Sequence, residues 1–301
     1  MSQSEFPPLS EEQITQFLTH GYVVIHDCFS REFAEDWTSN AFHRLGYDPN
    51  NPATWEKEII HMPATQYLTM EEISPKAWQA ACELLGGEER VKPSSWGDSM
   101  IVNFHKGADQ PWQPPSPTVN GWHKDGDFFR HFLDSPEQGL LTIVIWSDIA
   151  PQGGGTFAAG DSVAPVARLL AAHPEGVLPS GAPEATFGSR IHECHDFVEL
   201  TGQIGDVVLI HPYLLHASSQ NHSGKARFIT NPPISLEEPM QFNRADPQEF
   251  SIVERAILQG LGVDRLDFQV TAPREHIVSE GAKRKQKMLE EEQVRLAVAG
   301  H

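Results

Sequence analysis

The spacing of apolar positions divides this chain into helical and extended stretches. Ser10-Glu11-Glu12-Gln13 is a capping box ahead of a helical alternation, which predicts a helix through His20 that Gly21 stops. Tyr22-Val23-Val24-Ile25 follows as a β-branched strand. Ser30 opens a second helix running to about Leu45. Ile73 to Leu85 forms a third, with Pro75 in its first turn and Gly86-Gly87 at its end. The middle of the chain changes character. Ser99 to His105 reads as a strand, Gly107 to Thr118 as a loop rich in Pro and Gln, and Trp122 to Asp125 as a short strand or strand end. Leu140 to Trp146 (LLTIVIW) is a continuous apolar run, the pattern of a strand buried on both faces. Pro151 to Gly155 is a loop and Ser162 to Ala172 a helix. Gly205-Asp206 turns into Val207-Val208-Leu209-Ile210, and another strand begins at Arg227. Pro273 to Val298 is charged and helical in pattern, a surface or packing helix.

Many short strands with Gly and Pro between them predict a mostly β fold with flanking α, a sandwich or jelly roll, with N-terminal helices over one outer face. The 301 residues divide into a helical N-terminal portion (about 1–95), a jelly-roll core (about 96–235) and a C-terminal helical extension (about 240–301), read together as a single domain. A hydrophobic fraction of 39%, with 16 Phe and 7 Trp, is enough to fill a core, so disorder is not the default. A net charge of −19 opposes binding to nucleic acid or anionic membrane, and no apolar run approaches the ~18 residues of a membrane span. Cys28, Cys82 and Cys194 are scattered without CxxC spacing, which fits a reducing, cytoplasmic setting and no zinc–cysteine site. The polar, acidic start reads as neither a signal nor a transit peptide, and Ala299-Gly300-His301 as no targeting address. The expected state is monomer or homodimer.

The chemistry enters at Trp122-His123-Lys124-Asp125. Alternate side chains of a strand share a face, so His123 and Asp125 point together and Lys124 points away. One strand end then offers an imidazole and a carboxylate to one metal. A second imidazole comes from His216, in Leu214-Leu215-His216-Ala217-Ser218, or from His211, with His216 preferred because the turn after Pro212 aims it inward. Asp127 competes as a ligand only if the strand continues, and Gly126 breaks it. Two His and one carboxylate on one face suit Fe(II) with open positions for oxygen chemistry. Zinc also takes such donors, but no HExxH helix is present.

Arg227, eleven residues beyond His216, suits the far carboxylate of a dicarboxylate cosubstrate such as 2-oxoglutarate, because a planar guanidinium pairs bidentately and keeps its charge. Ser218, Thr230, Asn103 and Thr142 are candidate hydroxyl and amide contacts. Trp112, Trp122, Phe128, Phe129, Arg130 and His131 cluster around the first motif as candidate substrate-pocket residues, Arg130 and His131 hinting at an anionic or polar substrate.

These residues resemble the phytanoyl-CoA dioxygenase family of Fe(II)/2-oxoglutarate oxygenases. Leu9 to Ile14 with Phe17 and Gly21 to Ile25 resemble that family's opening helix and strand. Gly121 to Asp125 resembles its first metal motif, and Gly205 to Pro212 through His216-Ala217-Ser218, Asn221 and Arg227 its second. The resemblance spans about residues 9 to 235. It implies a double-stranded β-helix, a cupin-like jelly-roll variant. It implies iron at His123, Asp125 and His216, 2-oxoglutarate at Arg227, and O2 as oxidant for a small-molecule substrate, by hydroxylation or by desaturation, cyclisation or epimerisation. Gly160-Asp161-Ser162 departs from the family's Gly-Ser-His, and nothing in the sequence points to a CoA thioester. Asp125 stands where halogenating relatives carry a small residue, which argues against halogenation. A jelly-roll binding protein without catalysis, or a cupin that needs no 2-oxoglutarate, are the alternatives that intact His123, Asp125, His216 and Arg227 oppose.

Overall fold

The computed structural model describes residues 6–179 and 186–299, so the readings of the first five and last two residues lie outside it. Ser10 caps α1 (Glu11–His20). Its hydroxyl accepts from the Gln13 amide at 3.2 Å while the Gln13 side chain accepts from the Ser10 amide at 2.9 Å. Gly21 ends the helix in the left-handed region (φ 68°) and the chain enters β1 (Tyr22–Ile25). The single helix expected from Ser30 to Leu45 is two, α2 (Arg31–Thr38) and α3 (Ala41–Leu45). The Thr38 and Ser39 hydroxyls donate to the Ala34 and Asp36 carbonyls, taking acceptors that a continuous helix would use. The next helix is also divided. β2 (Ile59–His61) and β3 (Tyr67–Thr69) precede α4 (Met70–Ile73), after which Ser74 caps α5 (Pro75–Leu85), with Pro75 at the position that needs no N–H.

The remaining strands are β4 (Ser95–Gly97), β5 (Ile101–Asn103), β6 (Leu140–Ile145), β7 (Thr156–Ala159), β8 (Phe197–Leu200), β9 (Val207–Ile210), β10 (Leu215–Ser218), β11 (Arg227–Thr230) and β12 (Pro233–Ile234). α6 (Val163–Ala172), α7 (Ile252–Leu261) and α8 (Glu280–Ala299) complete the elements that matter here. The fold is mixed: helices over antiparallel sheets. The larger sheet runs β1-β9-β6-β11-β5-β2, with β12 also on β6, and the smaller β10-β7-β8. β3 and β4 form a separate pair. β1 and β2 therefore bring residues from the first 95 into the larger sheet. The expected strand Ser99–His105 contracts to β5. Trp122–Asp125 is no strand: a single antiparallel bridge pairs His123 with His216.

Parity sorts the two faces of the larger sheet. On β6, Leu140, Val144 and Trp146 join the cluster that contains the α1, α5, α6 and α7 side chains, while Leu141, Ile143 and Ile145 join a second cluster with Val208, Ile210, Ile229 and Ala158 of β7. The strand is buried on both faces, as its unbroken apolar run requires. The second cluster lies between the two sheets, and the site is built above it. Phe33 and Trp37 of α2 stack towards Trp146 and close the helical side.

α8 is held from below by an ion network. Arg44 of α3 donates to Glu292 at 2.6 Å, to Asp98 at 2.9 Å and to the Pro63 carbonyl at 2.7 Å, all three side chains being buried. Gly281, Lys285, Met288, Leu289, Glu292 and Leu296 form its inward stripe, spaced three and four apart. No helix among the described residues is long and apolar enough to cross a membrane.

Candidate metal centre

His123 and His216 come together because each donates its backbone N–H to the other's carbonyl, at 3.0 and 2.9 Å. The imidazoles are then oriented locally. His123 Nδ1 lies 2.7 Å from the Gly121 carbonyl and His216 Nδ1 3.1 Å from the Leu214 carbonyl. A carbonyl only accepts, so both Nδ1 atoms carry a proton and Nε2 is the nitrogen that each imidazole offers to a ligand. The Nε2 atoms face one carboxylate, His123 to Asp125 Oδ1 at 3.3 Å and His216 to Asp125 Oδ2 at 3.5 Å. One donor atom from each of the three residues falls within 4.8 Å of the others. Burial pushes the Asp125 carboxyl up, but the two imidazoles outweigh it and hold it well below the usual carboxylate range. Burial likewise lowers His123, and the Asp125 carboxylate outweighs it and raises the imidazole. A cluster held this way by protons is the donor set that a divalent cation takes over by displacing them.

Gly126 (φ 113°) turns the chain immediately after Asp125. A Cβ there would meet His131 and Phe129 ring atoms at 2.6 Å. Asp127 is thereby turned towards the start of α8, where its Oδ2 lies 3.1 Å from the position a Cβ on Gly281 would take. It is not among the clustered donors. Lys124 points away from the cluster. Its ammonium donates to the Asp125 carbonyl (3.1 Å), His131 Nδ1 (2.8 Å) and Gln138 Oε1 (3.3 Å) beneath the turn, so all three of its donors are used. Burial pulls this lysine down to about 7.

The cluster opens into a cavity of about 820 Å³ between the sheets, floored by Leu141, Ile143 and Ile229. Arg227, at the start of β11, lines the same cavity. It is 2% exposed, donates one bond to the Ile101 carbonyl (3.2 Å), leaves its Nε buried without a partner, and makes no ion pair among the described residues. Burial lowers it to about 10. A buried guanidinium without a carboxylate is costly unless an anion completes it, and a dicarboxylate cosubstrate has the matching geometry. The residues present therefore fit both a facial divalent metal and a carboxylate ligand.

The other sequence candidates divide. Trp122, Phe128, His131 and Ser218 line the cavity. Trp112 is outside its lining and packs on Phe157 and His222, and Arg130 is engaged by Glu275 and the Glu175 carbonyl. Phe129 is fully buried between Phe128 and His131. Thr142 is placed on the helix-facing side of β6 by parity, where its hydroxyl donates to the Pro232 carbonyl. Thr230 accepts from Trp146 Nε1. Asn103 is the register partner of Arg227, but its amide is taken by the Ser219 carbonyl and the Lys106 amide. Ser218 accepts from Lys106 Nζ at 2.7 Å. His211 is buried with Nδ1 accepting from the Tyr213 amide and Nε2 facing the Val253 carbonyl, so neither nitrogen reaches the cluster.

Two features escaped the sequence reading. Asn231 donates to Asp125 Oδ2 at 2.7 Å and fixes the carboxylate. The α8 residues Arg284 and Lys285 line the cavity from across 150 residues of sequence. Asn231, one residue past β11, carried a weak signal, and α8 carried none that linked it to the site.

His211 gives a pH expectation. Burial lowers it to about 3 from its ordinary 6.5. The unfolded chain then binds a proton that the folded one refuses, so stability falls as pH drops below about 6.5, by about 1.4 kcal/mol per pH unit from this group, until about 3. Urea midpoints of the metal-free protein at pH 7.5 and 5.5 should show the decline, and a His211→Leu variant should flatten it.

Residues 173–229, about a fifth of the chain, match the phytanoyl-CoA dioxygenase (PhyH) family model. A protein of Stutzerimonas stutzeri, described as a probable alpha-ketoglutarate-dependent hypophosphite dioxygenase, is 27% identical over 232 residues, 72% of this chain and 76% of that protein. Among solved structures, the non-heme alpha-ketoglutarate-dependent carbocyclase SnoK from nogalamycin biosynthesis is 17% identical over 77% of this chain and 86% of its own (TM-score 0.48). EctD from S. alaskensis with 2-oxoglutarate and 5-hydroxyectoine is 19% identical over 79% and 82% (TM-score 0.45). The chain is an enzyme of the non-haem iron, 2-oxoglutarate-dependent dioxygenase class. Within that class, the chain is similar to the phytanoyl-CoA dioxygenase family over the residues that its model matches.

Proposed function

We propose that this dioxygenase hydroxylates an unactivated C–H bond of a small-molecule metabolite, with His123, Asp125 and His216 holding Fe(II) and Arg227 holding the far carboxylate of 2-oxoglutarate. The observation that carries this reading is the cavity itself. Three convergent donors and a buried guanidinium lacking a carboxylate open onto one space. The two antiparallel sheets, with the donors between them, support reading the core as a double-stranded β-helix and the chain as one oxygenase domain. When bound, iron and 2-oxoglutarate supply the oxidising power: O2, 2-oxoglutarate and R–H become R–OH, succinate and CO2, one oxygen atom entering each of the alcohol and succinate.

The chain's own residues position and exclude. The Gly121 and Leu214 carbonyls fix both imidazoles with Nε2 forward, and Asn231 fixes Asp125. Lys124, anchored under the turn by His131 and Gln138, holds the Asp125 carbonyl. The apolar floor of Leu141, Ile143 and Ile229 keeps water from the reacting side.

The test is succinate formation from 2-oxoglutarate after anaerobic addition of Fe(II) and exposure to O2. The wild type should turn over, even without substrate and slowly, and His123→Ala should not. Absence of both turnover and the charge-transfer absorption of the anaerobic iron–2-oxoglutarate form would defeat the reading. Product analysis then separates hydroxylation from desaturation, cyclisation or epimerisation on the same centre.

A further inference from the structure

The cavity inverts the charge of the chain. Acidic residues outnumber Lys and Arg by 41 to 22 overall, yet Lys124, Arg227, Arg284 and Lys285 line this space against Asp125 and Asp127. Three of these six are already committed. Lys124 has its three acceptors, Arg227 faces the cosubstrate in the reading above, and Asp125 faces the metal. What remains is Arg284 and Lys285 with one carboxylate, Asp127.

Those two cations are set apart from their neighbours. Lys283, Arg284, Lys285 and Lys287 crowd the first two turns of α8, where the helix dipole disfavours positive charge. The outward pair is neutralised locally, Lys283 by Glu280 at 2.6 Å and Lys287 by Glu291 at 3.7 Å. Arg284, which is exposed, and Lys285 both line the cavity, and their side chains make no hydrogen bond or ion pair among the described residues. Lys285 is half-buried, and burial lowers it against the pull of Asp127 and Asp125. Its place is not an accident of a loose helix. Glu292, two turns on and in the same stripe, is locked to Arg44, which fixes the rotation of α8 and so the direction of residue 285. The helix start adds its own positive end, with Ser279 and Gly281 in the cavity wall.

We propose that Arg284 and Lys285 on α8 are specificity-determining residues that bind an oxyanion of the substrate, so that the enzyme acts on a small anionic compound, carboxylate or phosphate, delivered against the C-terminal helix. This rests on the assignment of the cavity as the oxygenase site. Arg227 and the Arg284–Lys285 pair line the same cavity, so the two anions, cosubstrate and substrate, would have separate cationic partners.

The experiment is calorimetric titration of the anaerobic Fe(II)–2-oxoglutarate enzyme with acetate and, separately, with inorganic phosphate. At least one should bind saturably, and the tighter of the two assigns the oxyanion class. Arg284→Ala and Lys285→Ala should each weaken it by roughly tenfold, the scale of one charge-assisted hydrogen bond. Arg284→Lys and Lys285→Arg should keep it, which a merely structural role would not produce. The charge-transfer absorption of bound 2-oxoglutarate should be unchanged throughout. Absence of saturable binding of both anions, or alanine variants that bind like wild type, overturns the proposal. If wild type shows no charge-transfer band, the iron and 2-oxoglutarate assignment fails instead, and the same titrations on the metal-free protein decide the anion subsite by the same criteria.

Discussion

Arg227→Leu is expected to weaken 2-oxoglutarate binding by at least roughly 100-fold and, in the same protein, to raise the stability of the metal-free form. The two effects have one cause. The guanidinium is buried with a single backbone acceptor, and its Nε has no partner. Folding takes that charge out of water without a carboxylate to offset it, and burial alone lowers it to about 10. A leucine removes the uncompensated charge and adds apolar surface beside Ile229 and Ile101 in the cavity wall. A gain of about 1–3 kcal/mol is the scale seen when buried ionic groups give way to apolar ones. The cosubstrate loses the opposite quantity. Two parallel charge-assisted bonds are each worth about 1.5–3 kcal/mol, so affinity should fall by at least roughly 100-fold. Arg227→Lys keeps the charge without the fork and should fall between. Thermal melting of the metal-free proteins and the charge-transfer titration with 2-oxoglutarate read both halves. Unaltered 2-oxoglutarate affinity in Arg227→Leu would move the carboxylate to another cation, such as Lys106, which neighbours Arg227 and donates to Ser218 in the cavity wall.

Local chemistry was legible in the sequence where one short segment decided the outcome. The capping box at Ser10, the stop at Gly21 and the two-faced burial of LLTIVIW needed only neighbouring residues. The pairing of His123 with Asp125 was read from strand alternation, yet the segment is a single bridge followed by a left-handed glycine. The alignment arises because the bridge to His216 fixes one residue and Gly126 ends the segment just after Asp125. Thr142 shows the opposite case. Its place on β6 was right, but which face of β6 looks into the cavity is set by the helices packed on the other side, and no local pattern reports that. The hydroxyls of Thr38 and Ser39 divided a helix whose apolar spacing ran on. α7 falls within the helical extension expected over about 240–301, and the Ser251–Glu254 capping box with Gly262 beyond marks its bounds. The contribution of α8 was not readable at all, because it depends on the Arg44–Glu292 pair, 248 residues apart.

The choice between the two histidines after β9 decides the metal centre, and the two substitutions should part sharply. His216→Ala should release the metal. Its Nε2 is one of three donors within 4.8 Å, and the remaining His123 and Asp125 leave a cation with two protein ligands. The fall in Fe(II) affinity should exceed the roughly 10–100-fold that removing an outer partner costs, which is the size expected for Asn231→Ala, where only the hydrogen bond to Asp125 Oδ2 is lost. Succinate formation should vanish with the metal. His211→Leu should keep one iron per chain and its succinate rate. That ring spends Nδ1 on the Tyr213 amide and turns Nε2 to the Val253 carbonyl, packed against Phe17 and Tyr213. What it loses is one satisfied buried N–H, at Tyr213, a cost of about 1–3 kcal/mol in urea unfolding near neutral pH. Metal content by elemental analysis, succinate rate and unfolding midpoint together separate a ligand from a packing imidazole. Iron retained in His216→Ala and lost in His211→Leu would reverse the assignment, and would require His211 rather than His216 to face the cavity, against the bridge that the His123 and His216 backbones make.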